Sequence, residues 1–432
     1  MTLSGTRTFV GFGFGAIQSG LFLYEAFKSG AFRRLVVAEV MPEVVSAVRR
    51  ADHFYTVNIA WHDWVDSARI GPVEILDPAA DADRLQVIAA IAEAEEIATA
   101  IPSVAFYVSD KPGSIHRLLA AGLCEKIKRR GPRAVIYAAE NHNHAAEILE
   151  KQVMQQVPEG LRTAVRSRVR FLNTVIGKMS QVVADHAEIQ ARGLSYIAPD
   201  FPRAFLVESF NRIFISKVDF PEPFRRGIDV LQEKNDLLPF EEAKLYGHNA
   251  THALVGYIGA LKGVQRVADL QQIPGVVPFV RAAFIEESGE ALTRKYSGVD
   301  PLFTPQGYRE YADDLIERMM NPFLLDSIER VTRDTERKLG WNDRLVGTIR
   351  LALQQGVQPR RYAFGAAAAL SVLGRAILDT TSQVALLSTL WKDAAPEALE
   401  SETVLTLIAQ ACHRLKAWRA ADSPNLERFY SG

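Results

Sequence analysis

A short apolar run, residues 8–11, leads straight into a glycine cluster, Gly11, Gly13 and Gly15, then a helix-like stretch over 17–28 and a β-branched run over 35–39. This order constrains the chain more than any other feature in it. Short continuous apolar runs read as strands buried on both faces. Strands that alternate with helices need crossover connections, so their sheet is parallel. The alternation continues with a helix-like 86–98, a strand-like 103–108, a helix-like 114–129, the apolar run Ala134–Ala138 and a helix-like 143–157.

The glycines sit where a strand ends and a helix begins. A dinucleotide's pyrophosphate needs backbone N–H donors at a helix N-terminus and no Cβ in its way. Gly13 and Gly15 fit the first two glycines of that fingerprint, with Ala16 and Ile17 opening the helix; the third place is Gln18, with Gly20 nearby. The second strand ends at Glu39, near the spacing of roughly 20 residues at which an acid reads the adenosine ribose. A carboxylate there accepts ribose hydroxyls and repels a 2′-phosphate, which favours NAD over NADP. The glycine loop of S-adenosylmethionine methyltransferases is the rival reading. It usually follows an acidic residue, whereas here Thr8, Phe9 and Val10 precede. Residues 8–24 carry no charge, but their glycines, Gln18 and Ser19 make a poor secretory signal, which is apolar and ends in a small-residue cleavage site.

After about residue 219 strand-like runs thin out and helical patterns dominate, over 240–261, 306–320, 325–339, 344–355, 362–378 and 397–420. The expected organisation is an α/β, Rossmann-type parallel-sheet domain over 1–215 and a mainly α-helical domain over 216–432. Lys and Arg number 50 against 51 Asp and Glu, which argues against a nucleic-acid partner. No stretch reaches the roughly 18 apolar residues of a membrane span. Cys124 and Cys412 are far apart and show no ligand spacing. Reduced thiols, a cytoplasmic location and a monomer or small homo-oligomer are expected.

Chemistry concentrates in the segment Glu241-Glu242-Ala243-Lys244-Leu245-Tyr246-Gly247-His248-Asn249-Ala250-Thr251-His252. On an α-helical wheel Lys244, Glu241, His252 and Asn249 fall at about 0°, 60°, 80° and 140°, within one arc. Oxidising an alcohol needs a base for the hydroxyl proton while hydride leaves carbon. A desolvated lysine beside another cation suits that role. Amide and imidazole N–H groups suit the developing alkoxide. Two other readings remain: a salt-bridged polar face, and a metal pair, because His248 and His252 have the i, i+4 spacing of a zinc helix.

On Lys244, Asn249 and His252, set in KLYGHNATHALVGYIGALKG, the chain resembles the polyol-specific long-chain dehydrogenases. The resemblance extends through Glu140-Asn141, Leu206-Val207-Glu208-Ser209-Phe210, Asn321-Pro322, Asp326, Glu329-Arg330-Val331, Arg333-Asp334, Arg337-Lys338-Leu339 and Asp343-Arg344-Leu345. It implies Lys244 as general base and Asn249 and His252 on substrate oxygens. Glu241 would assist proton exit, Glu140 would serve the cofactor side and Asn141 would complete the oxyanion site. The implied enzyme uses NAD and no metal. It interconverts a polyol or polyol phosphate, of the mannitol 1-phosphate type, and the matching ketose or ketose phosphate. A uronate or aldonate reductase and a non-catalytic NAD-binding sensor are the alternatives. Hydride transfer needs donor and acceptor within about 3–3.5 Å. The site is therefore expected in the cleft between the two domains, with Asn141 and Asn249 reaching Lys244 from two sides. Three places depart from the family pattern: Ser19 where Arg is common, Gly177-Lys178 where Asp-Arg is common, and His142-Asn143-His144 after Asn141. Arg330, Arg333 and Arg337, interleaved with acids, read as a salt-bridged face in preference to a phosphate clamp.

Overall fold

The computed structural model describes residues 5–210, 212–374 and 380–431. They form two compact units, Met1–Leu238 and Pro239–Gly432. The described strands of the first are β1 (Arg7–Phe12), β2 (Phe32–Ala38), β3 (Tyr55–Ala60), β4 (Val65–Ile70), β5 (Glu74–Leu76), β6 (Glu96–Thr99), β7 (Ala134–Ala138), β8 (Val169–Ile176), β9 (Ser180–Val183), β10 (Ala204–Glu208), β11 (Ile213–Ser216) and β12 (Leu231–Lys234).

The larger sheet runs β12-β11-β8-β7-β6-β1-β2-β5. Its pairs are parallel except that β11 runs against β8. β1 has β2 on one side and β6 on the other. The strand order therefore reverses at β1, the switch point beside which doubly wound sheets bind ligands. Buried side chains cover both faces, among them Phe9, Leu35, Val37 and Tyr137 on one and Val10, Phe12, Val36 and Ile136 on the other. Continuous apolar runs mark such strands.

Two expectations on this unit are corrected. The helix drawn over 86–98 is Asp81–Glu93, and the residues after it form β6, wedged between β1 and β7. The alanine- and glutamate-rich run hides that change from helix to strand. Residues 103–108 are not a strand: Ser103 caps a 3-10 turn, Val104–Tyr107, its Oγ accepting from Ala105 N–H at 3.2 Å. A second sheet, β4-β3-β10-β9, was not foreseen. β12 pairs in parallel with β11, tying residues through 234 to this unit; the expected seam lay near 215.

The second unit is helical. Its central helix, Ala250–Lys262, is buried along most of its length. Gly256 and Gly259 let it approach the Ile328–Thr332 turn closely, since a Cβ on either would collide with Val331 or Ile328. The helix expected over 325–339 is broken. Leu325 and Asp334 take left-handed backbone, at φ 54° each, leaving two short turns, Ile328–Thr332 and Thr335–Lys338. The helix expected over 362–378 is observed as Arg360–Val372, and residues 375–378 lie outside the described residues. Among the described residues no helix is long and apolar enough to cross a membrane.

Candidate active site

In the first unit β1 ends at Phe12 and the chain turns at Gly13, whose φ of 82° favours glycine. A Cβ there would sit 2.9 Å from the carbonyl oxygen of Ala100. A Cβ on Gly15 would meet nothing within 4 Å, so the backbone at Gly15 borders open space. Ala16 and Ile17 start the helix, and a π-helical turn, Gln18–Leu23, follows. Gln18 occupies the place of the third glycine. Its side chain fills the space against Gly11, and among the described residues neither amide atom has a hydrogen-bond partner. Gly20 takes over the close helix–sheet contact: a Cβ there would strike Val207 of β10. Cradle, open backbone and helix N-terminus fit a dinucleotide's pyrophosphate.

Glu39 follows β2 and is buried. Its carboxylate accepts from Phe14 N–H at 2.7 Å and Met41 N–H at 2.8 Å. Burial pushes this carboxyl up, against the pull of the Met41, Phe14 and Val40 N–H groups. Glu39 therefore ties the glycine loop to the end of β2, and its carboxylate keeps a further lone pair for a ligand hydroxyl. Glu140, at the end of β7, is also buried. It accepts from Thr99 Oγ1 at 2.9 Å, Ile101 N–H at 3.1 Å and the Tyr107 hydroxyl, which braces the loop after β6. Asn141, His142 and His144 are exposed on the loop that follows, where His144 N–H donates to His142 Nδ1 at 3.1 Å. Lys178, at one of the family departures, is buried and donates to the carbonyls of Glu208 and Phe210.

In the second unit the motif lies on a continuous helical run, Leu238–Glu242, Ala243–Asn249 and Ala250–Lys262. The middle part is a π turn, with Ala250 N–H donating to the carbonyl of Leu245. A π turn holds about one residue more than an α turn. The step from Lys244 to Asn249 is therefore close to one full turn, and the two residues share a side of the helix more nearly than the α-helical wheel implied. Lys244 is half-buried. Burial and, next, the charge of Arg344 push its ammonium down to about 8, with Glu241 pulling the other way. A lysine so placed serves as a base near neutral pH.

His252 Nε2 lies 2.7 Å from Asp326 Oδ2. Arg330 closes the other side of that carboxylate, with Nε and Nη2 at 3.0 and 2.6 Å from Oδ1. Burial raises the Asp326 carboxyl, but His252 and Arg330 outweigh it and hold the group below the usual carboxylate range. An ionised carboxylate only accepts, so Nε2 carries a proton in this contact. His248 is buried 6.2 Å from the His252 ring, centre to centre. Burial, then Arg318, His252, Lys244 and Arg344, push its imidazole well below its ordinary value. Among the described residues no group of three or more His, Cys, Asp or Glu side chains is arranged to hold a metal.

Sequence reasoning gave Asp326, Lys338 and Arg344 no role. The i, i+4 pair Asp326–Arg330 was a signal; the contact to His252 was not, lying 74 residues away in sequence. Arg333 and Arg337 pair with Glu329, Asp334 and Asp343 at 3.4–3.8 Å, as a salt-bridged face would.

Residues 7–223 match the family model described as the mannitol dehydrogenase Rossmann domain, and residues 236–408 the one described as the mannitol dehydrogenase C-terminal domain. The chain is similar to mannitol-1-phosphate 5-dehydrogenase of Bacillus licheniformis, 30% identical over 365 residues, 83% of this chain and 86% of that protein. It is 29% identical to the Bacillus subtilis protein of the same name over 340 residues, 78% and 80% of the two chains. Among solved structures it resembles D-sorbitol dehydrogenase in substrate-free form, with TM-score 0.76, 15% identity, and 96% and 94% of the chains covered. It also resembles the Pseudomonas fluorescens mannitol 2-dehydrogenase ternary complex with NAD and D-mannitol, with TM-score 0.70, 18% identity, and 96% and 93% covered. At these identities the structural likeness speaks for the fold.

Proposed function

The chain belongs to the mannitol dehydrogenase family, and from that premise we propose that it is an NAD-dependent dehydrogenase interconverting a polyol phosphate and the matching ketose phosphate, with Lys244 as a metal-independent base. The observation that carries this reading is Lys244 itself, half-buried beside Arg344, with its ammonium lowered to about 8. A phosphorylated substrate is supported by the relatives at about 30% identity, which are mannitol-1-phosphate 5-dehydrogenases.

NAD, when bound, supplies the hydride acceptor at its nicotinamide ring. Gly13, Gly15, Ala16 and Ile17 would hold the pyrophosphate at the helix N-terminus, and Glu39 would accept a ribose hydroxyl. Lys244, neutral, takes the proton from the reacting hydroxyl as hydride leaves the same carbon. Amide donors, Asn249 and in the same role Asn141, stabilise the alkoxide oxygen. His252, its Nε2–H spent on Asp326, offers Nδ1 to a substrate hydroxyl, which fixes the substrate's orientation. Glu241 would pass the proton of Lys244 outward, as the family resemblance implies.

The test is NADH formation at alkaline pH against hexitols, pentitols, their phosphates and aldonates. Turnover with a hexitol phosphate, lost in Lys244→Ala by roughly 10²–10⁴-fold, supports the reading. NAD binding with no turnover on any member of the panel overturns it.

A further inference from the structure

The helical unit carries a second π turn, Ala283–Gly289, packed against the one that holds Lys244. A Cβ on Gly247, in the Lys244 turn, would collide with the Tyr308 hydroxyl and press on the Phe284 ring, and one on Gly289 would collide with the Tyr308 ring. Tyr308 is therefore wedged between a glycine of each turn. A chain of hydroxyls joins the same two turns. Thr251, just before His252, places Oγ1 2.7 Å from the Tyr362 hydroxyl. That hydroxyl donates to Ser288 Oγ at 3.3 Å, and Ser288 Oγ donates to the carbonyl of Phe284 at 3.1 Å. A hydroxyl has one proton to give, so Thr251 is the donor to Tyr362 and the chain runs in one direction. Thr251, Ser288 and Tyr362 are fully buried. The backbone of Tyr362 is held as well: the two carboxyl oxygens of buried Glu287 accept from the N–H groups of Arg361 and Tyr362, at 2.7 and 3.0 Å.

A π turn inside an α-helix is a rare local arrangement, so the surroundings must hold it. Lys244 and Asn249 share a side of the helix only while their turn keeps its extra residue. Apolar packing by Phe284 and Tyr308 resists collapse of the turn but allows sliding. A buried chain of hydroxyls does not, because a donor or acceptor that slides out of reach is left unpaired away from water. Tyr362 is the link in that chain that reaches both sides, Thr251 on the helix continuing from the Lys244 turn and Ser288 on the second turn.

We propose that Tyr362 is a positioning residue whose hydroxyl, set between Thr251 and Ser288, clamps the π turn of Lys244 to the π turn Ala283–Gly289 and so keeps the base in register with Asn249 and His252. This rests on the dehydrogenase reading above and adds what holds its base in place. Tyr362 acts through Thr251 and the turn.

The experiment compares Tyr362→Phe, Thr251→Val and Thr251→Ser with wild type and with Trp418→Phe, which loses a hydrogen bond to the carbonyl of Pro424 elsewhere in the unit. Tyr362→Phe and Thr251→Val are expected to lower kcat for polyol oxidation roughly 10- to 100-fold, as a small misplacement remote from the chemistry does, with the Kd for NAD unchanged. Thr251→Ser keeps the hydroxyl and should keep most of the activity. The double variant Tyr362→Phe/Thr251→Val should be no worse than either alone, because both cut one chain. Trp418→Phe should also melt at a lower temperature and yet keep its kcat. A second readout needs no turnover: acetylation of Lys244 by acetic anhydride, followed across pH by mass spectrometry, should show a midpoint near 8 in wild type and a higher one in Tyr362→Phe, because a loosened turn buries the amine less. If the wild type oxidises no polyol, the dehydrogenase reading fails and the acetylation midpoint decides the clamp. If turnover is present and Tyr362→Phe and Thr251→Val lose no more than Trp418→Phe does, the clamp alone is wrong. A Lys244 midpoint unmoved in both variants likewise overturns it. Should Tyr362→Phe not fold, Thr251→Val against Thr251→Ser decides.

Discussion

Arg344 offers the sharpest handle on the base. Its charge is the second cause, after burial, of the drop in the Lys244 ammonium from 10.5 to about 8. Burial is the larger cause, and Glu241 pulls the other way. Arg344→Met keeps the length and much of the burial and removes the charge, so the Lys244 midpoint is expected to rise to no more than roughly 9. The sign follows directly. The neutral amine is the base, so alcohol oxidation in the wild type rises with pH to half its plateau near 8. Below that midpoint it falls tenfold for each pH unit. In Arg344→Met the whole limb moves to higher pH, so activity drops several-fold at pH 7.5 and recovers above pH 10. The assay is the pH dependence of kcat/KM for polyol oxidation at saturating NAD, a quantity that reports the enzyme before the polyol binds. A lost substrate contact would lower the curve at every pH, whereas a changed base moves its midpoint. A midpoint that stays in place or shifts to lower pH would refute the coupling of Arg344 to Lys244.

Other outcomes follow from the same geometry. Asp326→Asn removes a charge-assisted hydrogen bond to His252, worth about 1.5–3 kcal/mol; kcat/KM should fall roughly 10- to 150-fold with little change in NAD affinity, and a loss under twofold would argue against an orienting role. NAD should be preferred over NADP, and Glu39→Ser should narrow that preference; because Glu39 also holds Phe14 N–H, the variant should melt at a lower temperature, seen by calorimetry. Exhaustive chelation should leave activity intact, and one equivalent of zinc whose return alone restores turnover would assign His248 and His252 to a metal.

The parts of the fold that could be read in the sequence are those where burial leaves a continuous mark. Ala134–Ala138 lies between two strands in the middle of the sheet and reads as a strand at sight. β6 is equally central, but its Glu-Ile-Ala-Thr follows a helix rich in the same residues, so no composition change announces it. The hairpin β3–β4 mixes exposed charges with apolar positions and offers no single period. In the second unit the break at Asp334 depends on left-handed backbone imposed by packing, and the apolar spacing on either side continues across it. The motif Lys244, Asn249 and His252 was legible as residue types and spacing. The partners that tune them were not: Asp326 and Arg344 come from distant parts of the sequence, and like charge at a distance leaves no periodicity to detect.

The π turn at Ala243–Asn249 sets a limit on how this segment can change. Its i→i+5 bonds are weaker than α-helical ones, so losing one residue there would improve the local hydrogen bonding. The same loss would rotate everything after it by about 100°, carrying His252 away from Asp326 and Gly256 and Gly259 away from the turn they pack against. A shorter, locally better helix would dismantle the site. Sequence drift here is confined to substitutions, and the count of residues between Lys244 and His252 is a harder constraint on the chain than most of the side chains between them.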